Sequence, residues 1–259
     1  MRQHDNVKGT ELSQLFTMTE GQGRPLVALH GWGMNHMVWQ PIRERLSQQA
    51  EVTWIDLPGH GRSSALKLGS LEQVVEQLIP YIPQGSVLMS WSLGGIIAQA
   101  LAKRLANQIA GLVLIASTPR FVIAYALSTE VLQGFADNLE QDYAATVRRF
   151  FALQFMGART DPAALHALRE QILQYPASLA ALQDGLDILR TADCRQPQLK
   201  QPCLWVLGRL DKLIPSGLAE GLQVLNYDKV QVMHKAAHVP FVTHPDEFMP
   251  LVEDFLHAL

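Results

Sequence analysis

The chain has 259 residues, of which 48% are hydrophobic and 17% charged, and its net charge is −3. This composition is ordinary for a globular protein of one large α/β domain, and the slight negative charge argues against non-specific nucleic-acid binding. No apolar run approaches the roughly 20 residues of a membrane-spanning helix.

The N-terminal stretch MRQHDNVKGTELSQ is polar and lacks the apolar core of a signal peptide. Cys194 and Cys203 are too few for a disulfide framework and lack metal-ligand spacing. We therefore expect a cytoplasmic protein with neither a membrane anchor nor a metal site.

Strand patterns alternate with helical patterns along most of the chain. ELSQLFTMTEG is compatible with an antiparallel edge strand, and further strands are predicted at PLVALH, VTWID, SVLMSW, GLVLIAS, CLWVLG and KVQVMH. Their unbroken apolar character is typical of parallel strands buried on both faces. Helices are predicted in HMVWQPIRERLSQQ, SLEQVVEQLIPYI, SLGGIIAQALAKRLA, SGLAEGLQVL and PDEFMPLVEDFLHAL. The alternation predicts an α/β fold with a mostly parallel, doubly wound sheet.

The alternation breaks once, between GLVLIAS and CLWVLG, where about seventy residues show only helical patterns. We predict a core domain formed by residues 1–118 and 191–259, with residues 119–190 inserted as a helical cap. Insertions at the carboxyl ends of parallel strands overhang the position where such sheets bind ligands.

Ser92 lies in VLMSWSLGG, between a predicted strand and a predicted helix. A serine at such a sharp corner presents its hydroxyl above the sheet, and small residues two positions before and after it let neighbouring backbone approach. Gly94 is one of these residues, whereas Ser90 stands where the usual motif has glycine. Alone, S-x-S-x-G is also compatible with an ordinary loop.

A serine hydroxyl needs a base and an orienting acid, which follow in the order Ser, Asp, His in this architecture. Asp211 follows CLWVLG in GRLDKLIP, and His238 follows KVQVMH in KAAHVPF. Both are expected at the sheet edge where Ser92 lies. Asp56 precedes the serine and is expected to fix the following turn, whereas His60 could rim the site.

Hydrolysis of an ester places negative charge on the carbonyl oxygen, which backbone N–H groups stabilise. The N–H of Leu93, directly after the nucleophile, is one predicted donor. The other is the N–H of Trp32 in the glycine-rich loop HGWGM, although that loop could also be a simple turn.

The motifs HGWG, DLPGHGRS, SWSLGG, GRLDKLIP and AAHVPF resemble those of the α/β-hydrolases over nearly the whole chain. LHGWGMNHMVW, WSLGGIIA, RFFALQFMG, GLDILRTADCRQP and KAAHVPFVTHPDEF are similar to the methyl ester esterases that act on pimeloyl-acyl-carrier protein in biotin synthesis. The resemblance implies an α/β-hydrolase fold, the triad Ser92, Asp211 and His238, and a cofactor-free monomer that hydrolyses a carrier-bound methyl ester. Ser90 departs from the glycine of that pattern.

The predicted cap contains arginines but no lysine. Arginine suits phosphate and carboxylate recognition, so Arg148, Arg149 and Arg159 are candidates for binding an acidic acyl-carrier protein, although arginines also solvate ordinary helices. Phe121, Phe150 and Leu153 are candidates for an acyl channel, although aromatic residues at helical spacing are more often plain core.

Three other functions remain open on the sequence alone. The same triad serves general short-chain carboxylesterases and C–C bond hydrolases, and a ligand-binding receptor can be built on the same fold.

Overall fold

The computed structural model describes residues 14–122, 129–224 and 229–259. In this part of the chain, a seven-stranded sheet has the order β1-β3-β2-β4-β5-β6-β7. The strands are β1 Thr17–Glu20, β2 Pro25–Leu29, β3 Glu51–Ile55, β4 Ser86–Trp91, β5 Ile109–Ile115, β6 Cys203–Gly208 and β7 Lys229–Met233. Only β1 is antiparallel to its neighbour among these strands. The predicted α/β class, the antiparallel edge strand and the six parallel strands are confirmed.

The helices surround this sheet and also fill the long connection between β5 and β6. They are α1 Gln40–Ser47, α2 Leu71–Leu78, α3 Leu93–Arg104, α4 Thr129–Gln141, α5 Tyr143–Phe155, α6 Pro162–Leu173, α7 Leu179–Thr191, α8 Leu218–Val224, α9 Pro240–Thr243 and α10 Pro245–His257. None of the helices in the described ranges combines the length and apolar content needed to cross a membrane.

Helix starts follow the polar residues that cap them. Ser70 and Gln73 form a reciprocal capping box at the start of α2, and Asp142 accepts a hydrogen bond from the Ala145 N–H at the start of α5. The predicted helix HMVWQPIRERLSQQ is instead a 3₁₀ turn, His36–Trp39, followed by α1. Pro41 accounts for the break because it has no N–H to donate to the preceding turn and therefore favours a new helix start.

Alternate residues of each parallel strand enter two separate hydrophobic layers. Val27 and Leu88 pack with the α2 and α3 side, whereas Ala28 and Met89 pack with the α1 and α10 side. Both faces of the sheet are covered, which explains the unbroken apolar strand sequences. The chain leaves β2 for β3 on one side and returns to β4 on the other, which opens a crevice at their carboxyl ends.

The helices α4 to α7, from Thr129 to Thr191, are called the four-helix segment below. They lie in the predicted cap except for Thr191, which ends α7 one residue beyond the predicted boundary. Residues 123–128 of the predicted cap lie outside the described ranges. The division of the chain into core and cap stays a prediction. Within the described part, α7 packs against α3 and α4, and α6 packs against the 3₁₀ turn His36–Trp39.

Candidate active site

Ser92 occupies a strained corner between β4 and α3. Its backbone has φ 55° and ψ −118°, a conformation that non-glycine residues rarely adopt. Ser92 N–H donates to the Ile115 carbonyl at 3.0 Å, and the Ser92 carbonyl accepts from Gly95 N–H at 2.9 Å and Ser117 Oγ at 3.0 Å. These bonds hold the serine at the crevice between β2 and β4.

The backbone around this corner is too close for larger residues at two positions. A Cβ atom on Gly94 would lie 2.5 Å from the Leu29 carbonyl oxygen, and one on Gly31 would lie 3.2 Å from Ser92 Cβ. Ser90, in contrast, is fully buried with room for its hydroxymethyl group, and its Oγ lies 3.4 Å from the Val113 carbonyl oxygen. The strand position therefore accommodates a serine.

The three predicted triad residues meet at this corner. His238 Nε2 lies 3.0 Å from Ser92 Oγ, and His238 Nδ1 lies 2.7 Å from Asp211 Oδ2. Because an ionised carboxylate only accepts hydrogen bonds, Nδ1 carries the hydrogen and Nε2 is left to accept from the serine. The other Asp211 oxygen accepts from Leu213 N–H at 2.7 Å and Ile214 N–H at 3.0 Å. Their catalytic roles remain predictions.

The backbone of His238 is held on both sides. Its N–H donates to the Gln154 carbonyl at 3.1 Å, and its carbonyl accepts from Trp91 Nε1 at 2.8 Å. A Cβ on Gly208 would lie 2.0 Å from the Ala237 carbonyl oxygen, so the end of β6 presses against the histidine loop. Sequence reasoning missed these contacts, because the Gln154 carbonyl and the backbone of Gly208 are main-chain groups that carry no signal in the sequence.

Trp32 connects the loop after β2 to the four-helix segment. Its indole Nε1 donates to the Leu182 carbonyl at 2.8 Å, and its ring packs edge-on against Phe150 with centroids 4.5 Å apart. Leu93 is the first residue of α3. Its N–H therefore makes no hydrogen bond within the helix. Use of the Trp32 and Leu93 N–H groups as oxyanion donors remains a prediction.

Two buried histidines support this loop from behind. His30 Nδ1 donates to the Gly31 carbonyl at 2.8 Å, and His30 Nε2 accepts from Leu57 N–H at 3.0 Å. Burial lowers the pKa of His30 to about 3, so its ring is neutral at pH 7. His60 is fully buried with its ring 5.3 Å from that of His30. Its Nδ1 lies 3.0 Å from the Pro58 carbonyl oxygen, and a position at the rim of the site stays a prediction.

Asp56 links the loop after β2 to the turn after β3. One oxygen accepts from the His36 N–H at 2.7 Å and the other from the Arg62 N–H at 2.8 Å. Asp56 is fully buried and makes no bond to His238, so it supports structure beside the site.

The residues predicted to bind acyl chain or carrier separate into two groups. Phe121 and Phe150 are buried and Leu153 is half-buried against the same core layer. Arg148, Arg149 and Arg159 are exposed. The other three of the six arginines in the predicted cap pair with carboxylates: Arg120 with Asp193, Arg169 with Glu170 and Arg190 with Asp187. Within residues 14–122, 129–224 and 229–259, no ion pair includes Arg148, Arg149 or Arg159.

Gln154 is a further polar residue beside the site. Its side chain lies on α5 one turn after Phe150 and is 1% exposed. Neither amide atom has a hydrogen-bond partner among the described residues. A glutamine in an amphipathic helix gives no sequence signal of such burial. In the same part of the chain, no group of three or more His, Cys, Asp or Glu is arranged to hold a metal ion.

Comparison with known proteins supports the interpretation of these motifs. Residues 26–251 match the model of the alpha/beta hydrolase family. The chain is 37% identical over 251 residues to the pimeloyl-[acyl-carrier protein] methyl ester esterase of Aliivibrio salmonicida, with 94% of this chain and 96% of the relative covered. It is 39% identical over 256 residues to the esterase of the same name from Pectobacterium carotovorum subsp. carotovorum, with 95% and 100% covered.

Solved structures show the same fold at lower identity. An esterase from Exiguobacterium antarcticum aligns with a TM-score of 0.83 at 20% identity and covers 94% of this chain and 95% of its own. A bromoperoxidase from Bacillus anthracis aligns with a TM-score of 0.85 at 20% identity, with the same two coverages. These likenesses concern the fold alone.

Proposed function

The chain belongs to the alpha/beta hydrolase family and is a carboxylic ester hydrolase, and from this premise we propose that it hydrolyses the methyl ester of pimeloyl-acyl-carrier protein. The observation that carries the catalytic part is the 3.0 Å contact between His238 Nε2 and Ser92 Oγ. The relatives that bear this substrate in their names match more than nine-tenths of the chain.

In the proposed mechanism, Ser92 Oγ attacks the ester carbonyl carbon while His238 Nε2 takes its proton. Asp211, 2.7 Å from Nδ1, orients the ring and stabilises its positive charge. The carbonyl oxygen becomes an anion held by the N–H groups of Trp32 and Leu93, each contributing roughly 3 kcal/mol.

The tetrahedral intermediate then collapses and its C–OCH₃ bond breaks. His238 gives the proton to the departing oxygen, so that methanol leaves and the acyl group stays on Ser92. Water next attacks the acyl-enzyme with His238 as the base, which frees the carboxylate and restores the serine. The chain's own residues supply every proton transfer in this sequence.

The four-helix segment is proposed to cover the acyl chain. Phe150 packs against Trp32, whose N–H is a proposed oxyanion donor, so this aromatic ring lies close to the reacting carbonyl. Phe121 and Leu153 belong to the same apolar layer and would continue a channel for methylene groups. Arg148, Arg149 and Arg159 would contact the carrier. A monomeric state and a cytoplasmic location stay predictions.

The test is to incubate the purified protein with methyl pimeloyl-carrier protein and follow demethylation by mass spectrometry. We expect turnover by the unaltered protein and none by Ser92→Ala, with fluorophosphonate labelling lost in the same variant. Ser90→Ala is the matched control and should retain both. Undiminished turnover by Ser92→Ala would overturn the assignment of the nucleophile.

Restoration of biotin-free growth to a bacterium lacking its own esterase tests the substrate in cells. Rapid hydrolysis of short nitrophenyl esters without turnover of the carrier ester would instead identify a general carboxylesterase. Stoichiometric binding without turnover of either substrate would identify a receptor.

A further inference from the structure

A surface groove next to the loops that bear Asp211 and His238 is lined by several basic side chains. We call it the basic groove and define it by Arg159, Arg209, His234, Lys235 and His244. Glu247 is the acidic residue that lines it, and Gly157 and Leu210 complete the wall. Arg159, Arg209, His234 and Lys235 are exposed.

The groove and the triad are built from the same two loops. Arg209 lies two residues before Asp211 after β6, and Lys235 lies three residues before His238 after β7. Arg209 N–H donates to the Met233 carbonyl at 3.0 Å, and Arg209 Nε donates to the His234 carbonyl at 3.0 Å. The side chain of Arg209 is therefore fixed between the two loops that bear Asp211 and His238.

A third cation of the groove, Arg159, belongs to the four-helix segment. Arg159 follows α5 five residues after Gln154, whose carbonyl accepts from the His238 N–H. Gly157, between them, would bring a Cβ within 3.5 Å of Leu210 Cβ. The groove thus spans the junction between α5 and the two catalytic loops.

These cations form no close ion pair with a carboxylate of the described residues. Other surface arginines pair closely with carboxylates, such as Arg45 with Glu253 at 2.7 Å and Arg190 with Asp187 at 2.6 Å. Among the described residues, no ion pair includes Arg159, Arg209 or Lys235. On a chain of net charge −3, the groove is a localised positive surface that attracts an acidic partner.

We propose that the basic groove is the docking surface for the acidic face of the acyl-carrier protein, with Arg159, Arg209 and Lys235 as its main contacts. The inference rests on the proposed function, because a carrier-bound ester brings its protein to the mouth of the site. It extends the carrier contact from the arginines of α5 to the two loops of the core that also bear Asp211 and His238.

The test compares two double charge reversals with equal change in net charge. Arg159→Glu/Lys235→Glu alters the groove, whereas Arg24→Glu/Lys200→Glu alters exposed residues elsewhere on the chain. Activity is measured on the carrier-bound methyl ester and on free dimethyl pimelate. The free ester has no protein to dock and therefore also shows whether each variant is folded.

We expect the groove variant to lose about 10- to 100-fold in kcat/KM for the carrier ester, with less than a twofold change on dimethyl pimelate. The unaltered protein should also lose more carrier activity with added salt than the groove variant does. The control pair should behave like the unaltered protein on both substrates. Equal losses in the two double variants, or unchanged carrier activity in the groove variant, would overturn the proposal.

Binding separates this proposal from the proposed function. Ser92→Ala protein, with and without the groove substitutions, is titrated with the methyl pimeloyl carrier, and we expect Kd to rise about tenfold or more in the groove variant. Binding without any turnover by the unaltered protein would refute the esterase assignment while leaving the groove supported. An equal loss on a methyl pimeloyl thioester of phosphopantetheine alone would show that the groove binds the phosphate and not the carrier's surface.

Discussion

The carboxyl edge of the sheet and the four-helix segment meet at the same site but hold it with different atoms. At the sheet edge, side chain meets side chain, as His238 does with Ser92 and Asp211. The four-helix segment instead supplies main-chain carbonyls: Leu182 accepts from Trp32 Nε1, Gln154 from His238 N–H, and Ile172 from Asn35 Nδ2 at 2.9 Å.

This difference has a consequence for how each region tolerates change. A side-chain contact requires a particular residue, whereas every residue type supplies a main-chain carbonyl. The sheet edge is therefore constrained by its chemistry, and the four-helix segment can vary its exposed side chains while keeping its contacts. Catalysis is expected to depend on the first region and the choice of acyl chain on the second.

The largest effect that tests this division is expected for Asp211→Asn. The Leu213 and Ile214 N–H groups bind one Asp211 oxygen and would retain the amide oxygen of asparagine. The amide nitrogen would then face His238 Nδ1 and impose the wrong tautomer, so kcat should fall by about 10⁴-fold. Asp254→Asn, on the exposed face of α10, is the matched control. A loss of less than tenfold in nitrophenyl ester hydrolysis would contradict the triad assignment.

The sheet-edge residues were predictable because their signals are local in sequence. Asp211 and His238 each follow an apolar run that predicts a buried strand, and parallel strands bring their carboxyl ends to one edge. The glycine at position 94 likewise indicates, from the sequence alone, that another stretch of backbone lies close to it, as the Leu29 carbonyl does. Chain order and residue type were sufficient to predict that Ser92 lies close to Asp211 and His238.

The second largest effect concerns stability and pH. Folded His30, with its pKa lowered to about 3 by burial, stays neutral, whereas the unfolded chain binds a proton below the ordinary value of 6.5. The contribution of His30 to the free energy of unfolding is present above pH 6.5 and is lost as the pH falls towards 3. His30 alone should therefore lower the free energy of unfolding by about 2 kcal/mol between pH 7 and pH 5.

Urea unfolding of the unaltered protein and His30→Gln at both pH values measures this contribution. The glutamine amide can donate and accept in place of the ring but does not titrate. The pH-dependent loss should be smaller in the variant by about 2 kcal/mol, whatever its stability at pH 7. Identical pH dependence in the two proteins would show that His30 is not the responsible group.

A smaller effect is expected where the two regions join. Trp32→Phe removes the donor to the Leu182 carbonyl but keeps the backbone N–H proposed for the oxyanion. An unsatisfied buried carbonyl costs about 1–3 kcal/mol, so amide hydrogen exchange in α7 should accelerate about tenfold. Trp39→Phe is the matched control, because its buried Nε1 has no hydrogen-bond partner in the described part of the chain. Equal protection of α7 in both variants would contradict the anchoring role.

The contacts of the four-helix segment were not predictable for a physical reason. The group that binds the His238 N–H is the main-chain carbonyl of Gln154, and every residue has such a carbonyl. The burial of the Gln154 side-chain amide depends on how α5 packs. The same holds for Arg120, which carries no local sequence signal that separates it from Arg148 but pairs with Asp193, a residue far along the chain. Such distinctions arise from tertiary placement and leave no periodic pattern.

The smallest effect is expected for Ser90→Gly, inside the region that tolerates least change. Ser90 Oγ makes only a long contact of 3.4 Å with the Val113 carbonyl, and the strained corner is held through Ser92 and Gly95. Glycine in a strand costs about 0.5–1 kcal/mol of stability through added chain entropy, whereas kcat/KM should change less than twofold. Ser90→Ala separates loss of the hydroxyl from loss of the Cβ. A several-fold rise in kcat for glycine but not alanine would mean that the Cβ of Ser90 displaces the nucleophile, and that the sheet edge, too, is adjusted by a residue outside the triad.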